Sequence, residues 1–297
     1  MVVNLRQNAA YLSHIVISQF NITLRAQMDR FMCTAACSAV VALAVGGGAI
    51  SYIYFKQRHF ESTFKNNFEI RRTTDVQVKL YGDPVSTCTR KVIQILHEKN
   101  YSFNLQLVSL KKKEQKELDY MARHPFGKVP MIETSDGFVL YESEAIVRYF
   151  DAILPGPQFT PKSLQERATM DKWISVYTSY LKPPQRKIRQ ERFLKQRYGR
   201  GECDEEAVSK AIVELEPVLE AMEQQLRNTT YIAGDDFSLA DLLFGPDFAS
   251  LLHEKGVAEL IDKRINLKRW WNLCQERSAW KTTYDYMNHY LHSEKTL

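Results

Sequence analysis

The sequence of 297 residues predicts a mixed α+β domain, an all-α domain after it, and an apolar segment ahead of both. Three observations support this. Strand and helix patterns alternate between residues 76 and 154, amphipathic stretches without strand signals follow from residue 164, and residues 31–55 contain no charged side chain. We therefore divide the chain into an N-terminal segment (1–30), a transmembrane helix (31–55), a linker (56–75), an α+β domain (76–154), a second linker (155–163) and a helical domain (164–297).

The composition is that of an ordinary globular protein. The formal net charge of +5 is mild for this length, and the basic residues are not interleaved with aromatic ones, which argues against nucleic acid as a partner. The cysteines contain no CxxC pair, which argues against a zinc site and a disulfide framework and favours a reducing compartment. They are Cys33, Cys37, Cys88, Cys203 and Cys274.

The apolar segment is long enough to cross a membrane as a helix. At 1.5 Å per residue, residues 31–55 exceed the hydrocarbon core of about 30 Å. Three alternatives stay open: a signal peptide, a mitochondrial presequence ahead of a buried helix, and a true start at Met28. We expect a single-pass anchor in the membrane, either the mitochondrial outer membrane or the endoplasmic reticulum. More positive charges follow the segment than precede it, so the rest of the chain is expected in the cytoplasm.

The α+β domain is predicted from alternating periodicities. The expected strands are Val76–Tyr81, Phe103–Leu110 and two short strands around the Ser135-Asp136-Gly137 turn, and the expected helices are Cys88–Lys99, Lys111–Arg123 and Ser143–Ile153. A right-handed crossover followed by a hairpin gives a four-stranded mixed sheet with helices on its faces.

The second domain is predicted to be a helical bundle. Its amphipathic stretches are Leu164–Leu181, Asp204–Leu226, Leu239–His253 and Ile265–Glu276. Ser238 and Asp241 have the spacing of a capping box, so we assign Asp241 a structural role.

The stretch "GDPVSTCTRKV" places Ser86 where the first strand passes into a helix. Its hydroxyl and the unpaired amides of the first helical turn would face the same space, an arrangement that stabilises an anion. A simple helix cap explains the same serine. No paired histidine or G-x-S-x-G motif supports a nucleophile, so Ser86 would act as a hydrogen-bond donor.

Two further stretches carry polar groups at element ends. In "RHPFGKVPMI", Val129-Pro130 opens a strand, where a turn with a cis peptide would expose the backbone of Val129 to an extended peptide. In "YESEAI", Glu142 and Ser143 begin a helix, either as first-turn acid and cap or as a pair that holds the amino and carboxylate groups of a zwitterion.

Together, these three stretches resemble the glutathione S-transferases, and the phi class most closely. "KWISVYTSYLKPP" and "YIAGDDFSLADLLFGP" in the helical half extend the resemblance over roughly Val76 to Thr282. It implies a thioredoxin-like domain followed by an all-helical domain, a homodimer, and glutathione as co-substrate with no further cofactor. The implied activity is conjugation of glutathione to hydrophobic electrophiles, as in detoxification, with peroxidase activity as a further expectation.

The resemblance also assigns roles to individual residues. Ser86 matches the serine that hydrogen-bonds the glutathione sulfur, and Val129 matches the backbone contact to the cysteinyl part. The γ-glutamyl end is assigned to Glu142 and Ser143, and the glycyl carboxylate to Gln115 and Lys116. Gln115 replaces the histidine common at its position, and Lys128, also placed in the glutathione site, stands where glutamine is usual.

Alternatives remain for the acceptor side and for the reaction. Tyr177 and Leu181 are expected to line the electrophile site, although an aromatic stripe that includes Trp173 also fits core packing. Cys88 has two interpretations: a buried thiol facing the sheet, or a reactive thiol of a thiol transferase. A non-catalytic module that binds glutathione or a protein partner is the other alternative.

Overall fold

The structure, a computed structural model, describes residues 77–252 and 254–296, which belong to one compact unit. In these two ranges no helix combines the length and the apolar character that crossing a membrane requires. The predicted transmembrane helix (31–55) and the segments on either side of it lie outside the described residues.

The first half contains the predicted four-stranded mixed sheet. Its strands are β1 (Val78–Gly82), β2 (Asn104–Leu107), β3 (Met131–Thr134) and β4 (Val139–Tyr141). They are ordered β2-β1-β3-β4, with β1 parallel to β2, and β3 antiparallel to both β1 and β4. The fold prediction is therefore confirmed for this half.

Two of the three helices of the first half begin within one residue of their predicted positions. They are α1 (Thr87–Glu98), α2 (Leu118–Arg123) and α3 (Ser143–Ile153). The predicted helix Lys111–Arg123 was wrong in its first part. Lys113 has a positive φ of 62° and only a 3₁₀ turn, Glu114–Lys116, precedes α2.

The second half is helical, as predicted. Its helices are α4 (Leu164–Val176), α5 (Lys182–Arg189), α6 (Lys195–Tyr198), α7 (Glu205–Leu226), α8 (Leu239–Ala249), α9 (Val257–Asp262), α10 (Ile265–Glu276) and α11 (Ser278–Thr296). Two π-helical turns, Tyr177–Leu181 and Gln190–Leu194, join α4, α5 and α6 into one continuous helical run. The capping box of Ser238 and Asp241 is present at the start of α8.

Helix α1 holds the two halves together. It packs against α3 in its own half and against α8 and α11 in the helical half. The Lys91 side chain leaves α1 and forms an ion pair with Asp247 of α8 at 2.6 Å, and both side chains are at most 2% exposed. The Lys91 ammonium also donates to the Tyr177 hydroxyl, so a polar cluster lies inside an otherwise apolar core.

Ion pairs also fasten the C-terminal end of α1. Arg277 donates to both carboxylate oxygens of Glu98 at 2.6 and 2.7 Å, and its guanidinium lies 3.9 Å from the ring centroid of Phe237. The ammonium of Lys99 lies 2.9 Å from the carboxylate of Asp151, which is the last buried position of α3. Bidentate and buried pairs of this kind fix orientation as well as distance.

We expect Lys91→Met to destabilise the protein strongly. Removing one partner leaves the Asp247 charge buried without compensation, which costs about 3 to 5 kcal/mol of unfolding free energy. Denaturant unfolding followed by circular dichroism measures the change.

Lys79→Met is the matched control, because Lys79 pairs with Glu133 at 3.4 Å while its side chain is 53% exposed. Its expected cost is at most about 1 kcal/mol. Equal midpoints for the two variants would contradict the role assigned to Lys91, and combining Lys91→Met with Asp247→Leu should recover part of the loss.

Candidate active site

A cleft of about 350 Å³ lies between the two halves. Its first wall is formed by the N-terminus of α1, the loop before β3 and the start of α3. Its second wall is formed by α5, α6 and the π turn between them. The volume is in the range of small-molecule sites in proteins.

The turn before α1 is held by Asp83. Its carboxylate accepts from the amide of Val85 at 2.9 Å and from the amide of Leu110 at 3.1 Å, and its carbonyl accepts from the amide of Ser86 at 2.9 Å. Gly82 lets the chain pass close to α1, because a Cβ there would lie 2.5 Å from the methyl group of Thr89. These contacts fix where α1 begins.

Ser86 is the N-cap of α1. Its Oγ accepts from the amide of Thr89 at 3.3 Å. A hydroxyl has one donor and two acceptor positions, so capping uses a lone pair and leaves the O–H free. The cap and the donor role predicted for Ser86 are therefore compatible.

The buried cluster of α1 and α8 lies directly behind this turn. The Asp247 carboxylate accepts hydrogen bonds from Thr87, Lys91 and Tyr177. Burial raises the pKa of Asp247, but the charge of Lys91 and these hydrogen bonds outweigh it and hold the pKa at about 2. Burial, followed by the Asp247 charge, raises the pKa of Tyr177 well above 10.0, so its phenol stays protonated and donates.

The 3₁₀ turn before α2 and the loop before β3 present unpaired polar groups to the cleft. The Val129-Pro130 peptide bond is cis, as the sequence suggested, and the Tyr120 hydroxyl donates to the carbonyl of Lys128 at 2.6 Å. Gln115 is buried with its Oε1 unpaired, and His124 is 1% exposed with its Nδ1 unpaired. Burial lowers the pKa of His124. Buried polar atoms without partners are uncommon, and here they line a cavity that a ligand can fill.

Glu142 has an unusual backbone conformation. Its φ is 70° and its ψ is 110°, and its carboxylate makes no capping bond to α3. Strained backbone of this kind in a non-glycine residue occurs at ligand sites. The exposed Glu142 and the buried Ser143 both face the cleft.

The structure brings most of the predicted glutathione residues together. The cleft is lined by Ser86, Gln115, Lys128, Val129, Glu142 and Ser143. Lys116 does not line it: its ammonium donates instead to the carbonyl of Phe126 at 3.1 Å.

The structure places the two residues predicted for the electrophile site elsewhere. Tyr177 is 1% exposed and Leu181 is fully buried, and both belong to the hydrophobic core. The reason is that Tyr177 is buried in the core, where its hydroxyl donates to the carboxylate of Asp247. Trp173 also packs in the core, as the alternative interpretation held. Cys88 is half-buried and lines the cleft, so the expectation of a buried thiol facing the sheet was wrong.

Several cleft residues were absent from the sequence prediction. They include His124, Lys182, Gln185, Arg186, Arg189, Leu194, Tyr198, Arg200 and Asp247. The sequence held one usable signal for the helical wall: Lys182, Arg186 and Arg189 recur at i, i+4 and i+7, one face of a helix.

Two family models match the described chain. The model for the "Glutathione S-transferase, N-terminal domain" matches residues 85–153, and the model for the "Glutathione S-transferase, C-terminal domain" matches residues 163–278. Glutathione S-transferase F11 of Arabidopsis thaliana is 35% identical over 207 residues, which are 69% of this chain and 95% of that protein. The chain belongs to the glutathione S-transferase family. Its similarity to the F-type plant enzymes agrees with the phi-class resemblance of the three motifs.

Solved structures of glutathione S-transferases have the same fold. The crystal structure of glutathione transferase F7 from Populus trichocarpa has a TM-score of 0.66 and 32% identity, and the match covers 71% of this chain and 99% of that one. Maize glutathione S-transferase I, solved in complex with an atrazine glutathione conjugate, has a TM-score of 0.65 and 28% identity over 71% of this chain and 98% of that one. These relatives favour a glutathione-conjugating enzyme over a non-catalytic module and over a Cys88-dependent thiol transferase.

Proposed function

We propose that this glutathione S-transferase conjugates the glutathione thiolate to small electrophiles in the cleft, with Ser86 as the hydrogen-bond donor to the sulfur. The observation that carries the proposal is the geometry of Ser86, which caps α1 with a lone pair and retains a free hydroxyl at the cleft. The curated relatives are glutathione S-transferases, which supports the reaction.

The first wall of the cleft suits the rest of the tripeptide. We assign the γ-glutamyl end to Glu142 and Ser143 and the cysteinyl backbone to Val129, next to the cis peptide. Gln115, whose Oε1 is buried and unpaired, and Lys128 are assigned to the glycyl end. Lys116 is exposed, and its side chain has to leave the carbonyl of Phe126 before it can contribute to that end.

The chemistry required of the protein is ionisation of a thiol. A free thiol has a pKa of about 8.5 and is mostly protonated at neutral pH. The Ser86 hydroxyl and the first-turn amides of α1 stabilise the thiolate and lower that pKa. The thiol proton leaves to solvent, the sulfur forms a bond to the electrophilic carbon, and the leaving group departs with the electron pair of the broken bond.

Ser86→Ala should lower kcat/KM for an aryl halide by about a hundredfold, because one preorganised donor to a developing anion is lost. The pH dependence of kcat/KM should also shift to higher pH, since the bound thiol now ionises nearer to its free pKa. Steady-state kinetics across pH on residues 70–297 measures both effects.

Asp204→Ala is the matched control for loss of a helix cap, because Asp204 caps α7, lies outside the cleft and accepts from the amide of Ala207 at 2.9 Å. It should keep the wild-type pH profile. An unshifted profile in Ser86→Ala would remove Ser86 from the mechanism, and loss of turnover in Cys88→Ser alone would transfer the role to Cys88.

We also propose that the protein is a homodimer, as is typical of the family. The supporting feature is Phe126, which is 58% exposed in the loop before the cis peptide, with its ring centroid 6.1 Å from that of Tyr141. Exposed aromatic side chains of this kind are enriched in interfaces.

Phe126→Ser should shift residues 70–297 from dimer toward monomer in sedimentation velocity, because an aromatic anchor of the interface is lost. Leu164→Ser, at a residue that is 76% exposed at the start of α4, should leave the mass unchanged. A monomeric wild type would refute the dimer.

For the N-terminal part, we propose a single-pass anchor at residues 31–55 with the catalytic domain in the cytoplasm. The support is the uncharged sequence and the positive charges that follow it, including Lys56 and Arg58. The mitochondrial outer membrane and the endoplasmic reticulum are both open as sites.

A C-terminally tagged full chain should therefore sediment with membranes and resist carbonate extraction, because the uncharged segment is buried in the bilayer. The same chain without residues 1–60 should be released into the supernatant. Release of the full chain would exclude the anchor.

A further inference from the structure

The second wall of the cleft is strongly cationic. Four basic side chains of the helical half line it: Lys182, Arg186, Arg189 and Arg200. The first wall adds Lys128. Apolar residues, among them Leu194, Val85 and Leu110, complete the lining. A site for purely apolar acceptors needs few charged side chains, since ligand pockets contain only a small number of placed polar groups.

The geometry of the helical run puts these charges on one face. Lys182, Arg186 and Arg189 occupy positions i, i+4 and i+7 of α5. Leu194 follows Arg189 by five residues, the spacing of a π turn, and Tyr198 follows Leu194 by four. The π turn therefore continues the cleft-facing row from α5 into α6. Such turns frequently occur at functional sites.

None of the four basic groups pairs with a carboxylate among the residues that the structure describes. Arg189 donates to the carbonyl of Val85 at 2.8 Å, and Lys182 and Arg200 lie over the rings of Tyr177 and Tyr198, respectively. The charges of Asp247 and Asp83 act on Arg189 from nearby, but neither carboxylate forms an ion pair with it.

The two acidic residues that line the cleft do not form ion pairs with these four basic groups. The charge of Asp247 is matched by Lys91 behind the wall, and Glu142 belongs to the opposite side, beside Ser143. Arg90 adds further positive charge next to Arg189: burial, and then the charge of Arg189, lower the pKa of Arg90 to about 10. Burial likewise lowers the pKa of Arg189, and the charge of Asp247 offsets part of that shift. An anion bound here would relieve the mutual repulsion of these guanidinium groups.

We propose that the acceptor half of the cleft recognises an electrophile that carries a carboxylate or sulfonate, held by Arg186 and Arg189. The inference rests on the proposed function, because it names the substrate class of the same site. The body of the acceptor lies against Leu194 and the ring of Tyr198, and its anionic group meets the forked guanidinium donors. Glutathione does not account for these charges, since its two carboxylates are assigned to the opposite wall and its thiolate carries a single charge.

The test compares an acid with its neutral amide. Isothermal titration calorimetry measures binding of 3,5-dinitrobenzoate and of 3,5-dinitrobenzamide to the full-length protein with saturating S-methylglutathione. The benzoate should bind about tenfold more tightly, the value of a charge-assisted hydrogen bond reduced by partial exposure. The preference should decrease as salt is added, because mobile ions screen the exposed guanidinium groups.

Arg186→Gln should remove most of this preference, and the double variant with Arg189→Gln should abolish it. Arg186 is exposed, so the single variant is expected to fold. Lys281→Gln is the matched control, because it removes one positive charge from an exposed position of α11 outside the cleft. It should retain the wild-type preference.

Turnover provides the second measurement. With 4-chloro-3,5-dinitrobenzoate the thiolate sulfur replaces chloride at the ring carbon, and Arg186→Gln should raise its KM more than the KM for the corresponding amide.

The outcomes separate this inference from the proposed function. Equal affinities for acid and amide, a preference that survives in Arg186→Gln, or weaker binding of the benzoate with S-methylglutathione than without it would each overturn the anion site. Conjugation of the amide without preference for the acid would leave the proposed function standing. A preference for the acid without conjugation of either compound would support the anion site and overturn the proposed function.

Discussion

The ion pair between Lys91 and Asp247 is the interaction on which the arrangement of the cleft depends. Two opposite charges are buried almost completely between α1 and α8, where they are stable only while each has the other. Thr87 and Tyr177 complete the hydrogen bonding of the carboxylate. Because Thr87 directly follows Ser86, this cluster positions the first turn of α1 relative to the helical half. The site at the end of α1 is therefore supported from behind by polar groups that no ligand needs to touch.

Much of the fold could be predicted because most helices and strands follow from apolar periodicity and turn residues within short segments of the sequence. The boundaries of α3 and α10 match the sequence prediction, since each combines regular apolar spacing with clear breaks on either side. The helical run through α5 was missed because Pro183 and Pro184 are usually read as a break. In the structure they lie at the start of α5, directly after the π turn Tyr177–Leu181, and the helical run continues through them. Helix α11 has a weaker apolar pattern, and its helical state depends on packing against α1 and α10.

The residues of the candidate site also fall into two groups, those that the sequence could predict and those that it could not. Some site residues lie at the ends of helices and strands within recognisable motifs, so the sequence alone predicts them. They are Ser86, Val129, Glu142 and Ser143. The backbone strain of Glu142 and the unpaired Nδ1 of His124 leave no such pattern, and the basic face of α5 becomes a wall of the cleft only when the two halves meet. Tyr177 illustrates the limit most clearly. Its spacing within the helix fits a cleft residue, but a buried charge on another helix determines which way it faces.

The π turn at Gln190–Leu194 offers a simple evolutionary route to a different acceptor wall. Such a turn holds one residue more than the α-helical path, so it is equivalent to a retained single-residue insertion. Each residue of a helix rotates the chain by about 100°, so losing that residue would turn Leu194 and Tyr198 away from the cleft. Lys182, Arg186 and Arg189 precede the turn and would keep their positions. The basic face of α5 is thus separable from Leu194 and Tyr198 by a single-codon deletion, a smaller genetic step than replacing the side chains one by one.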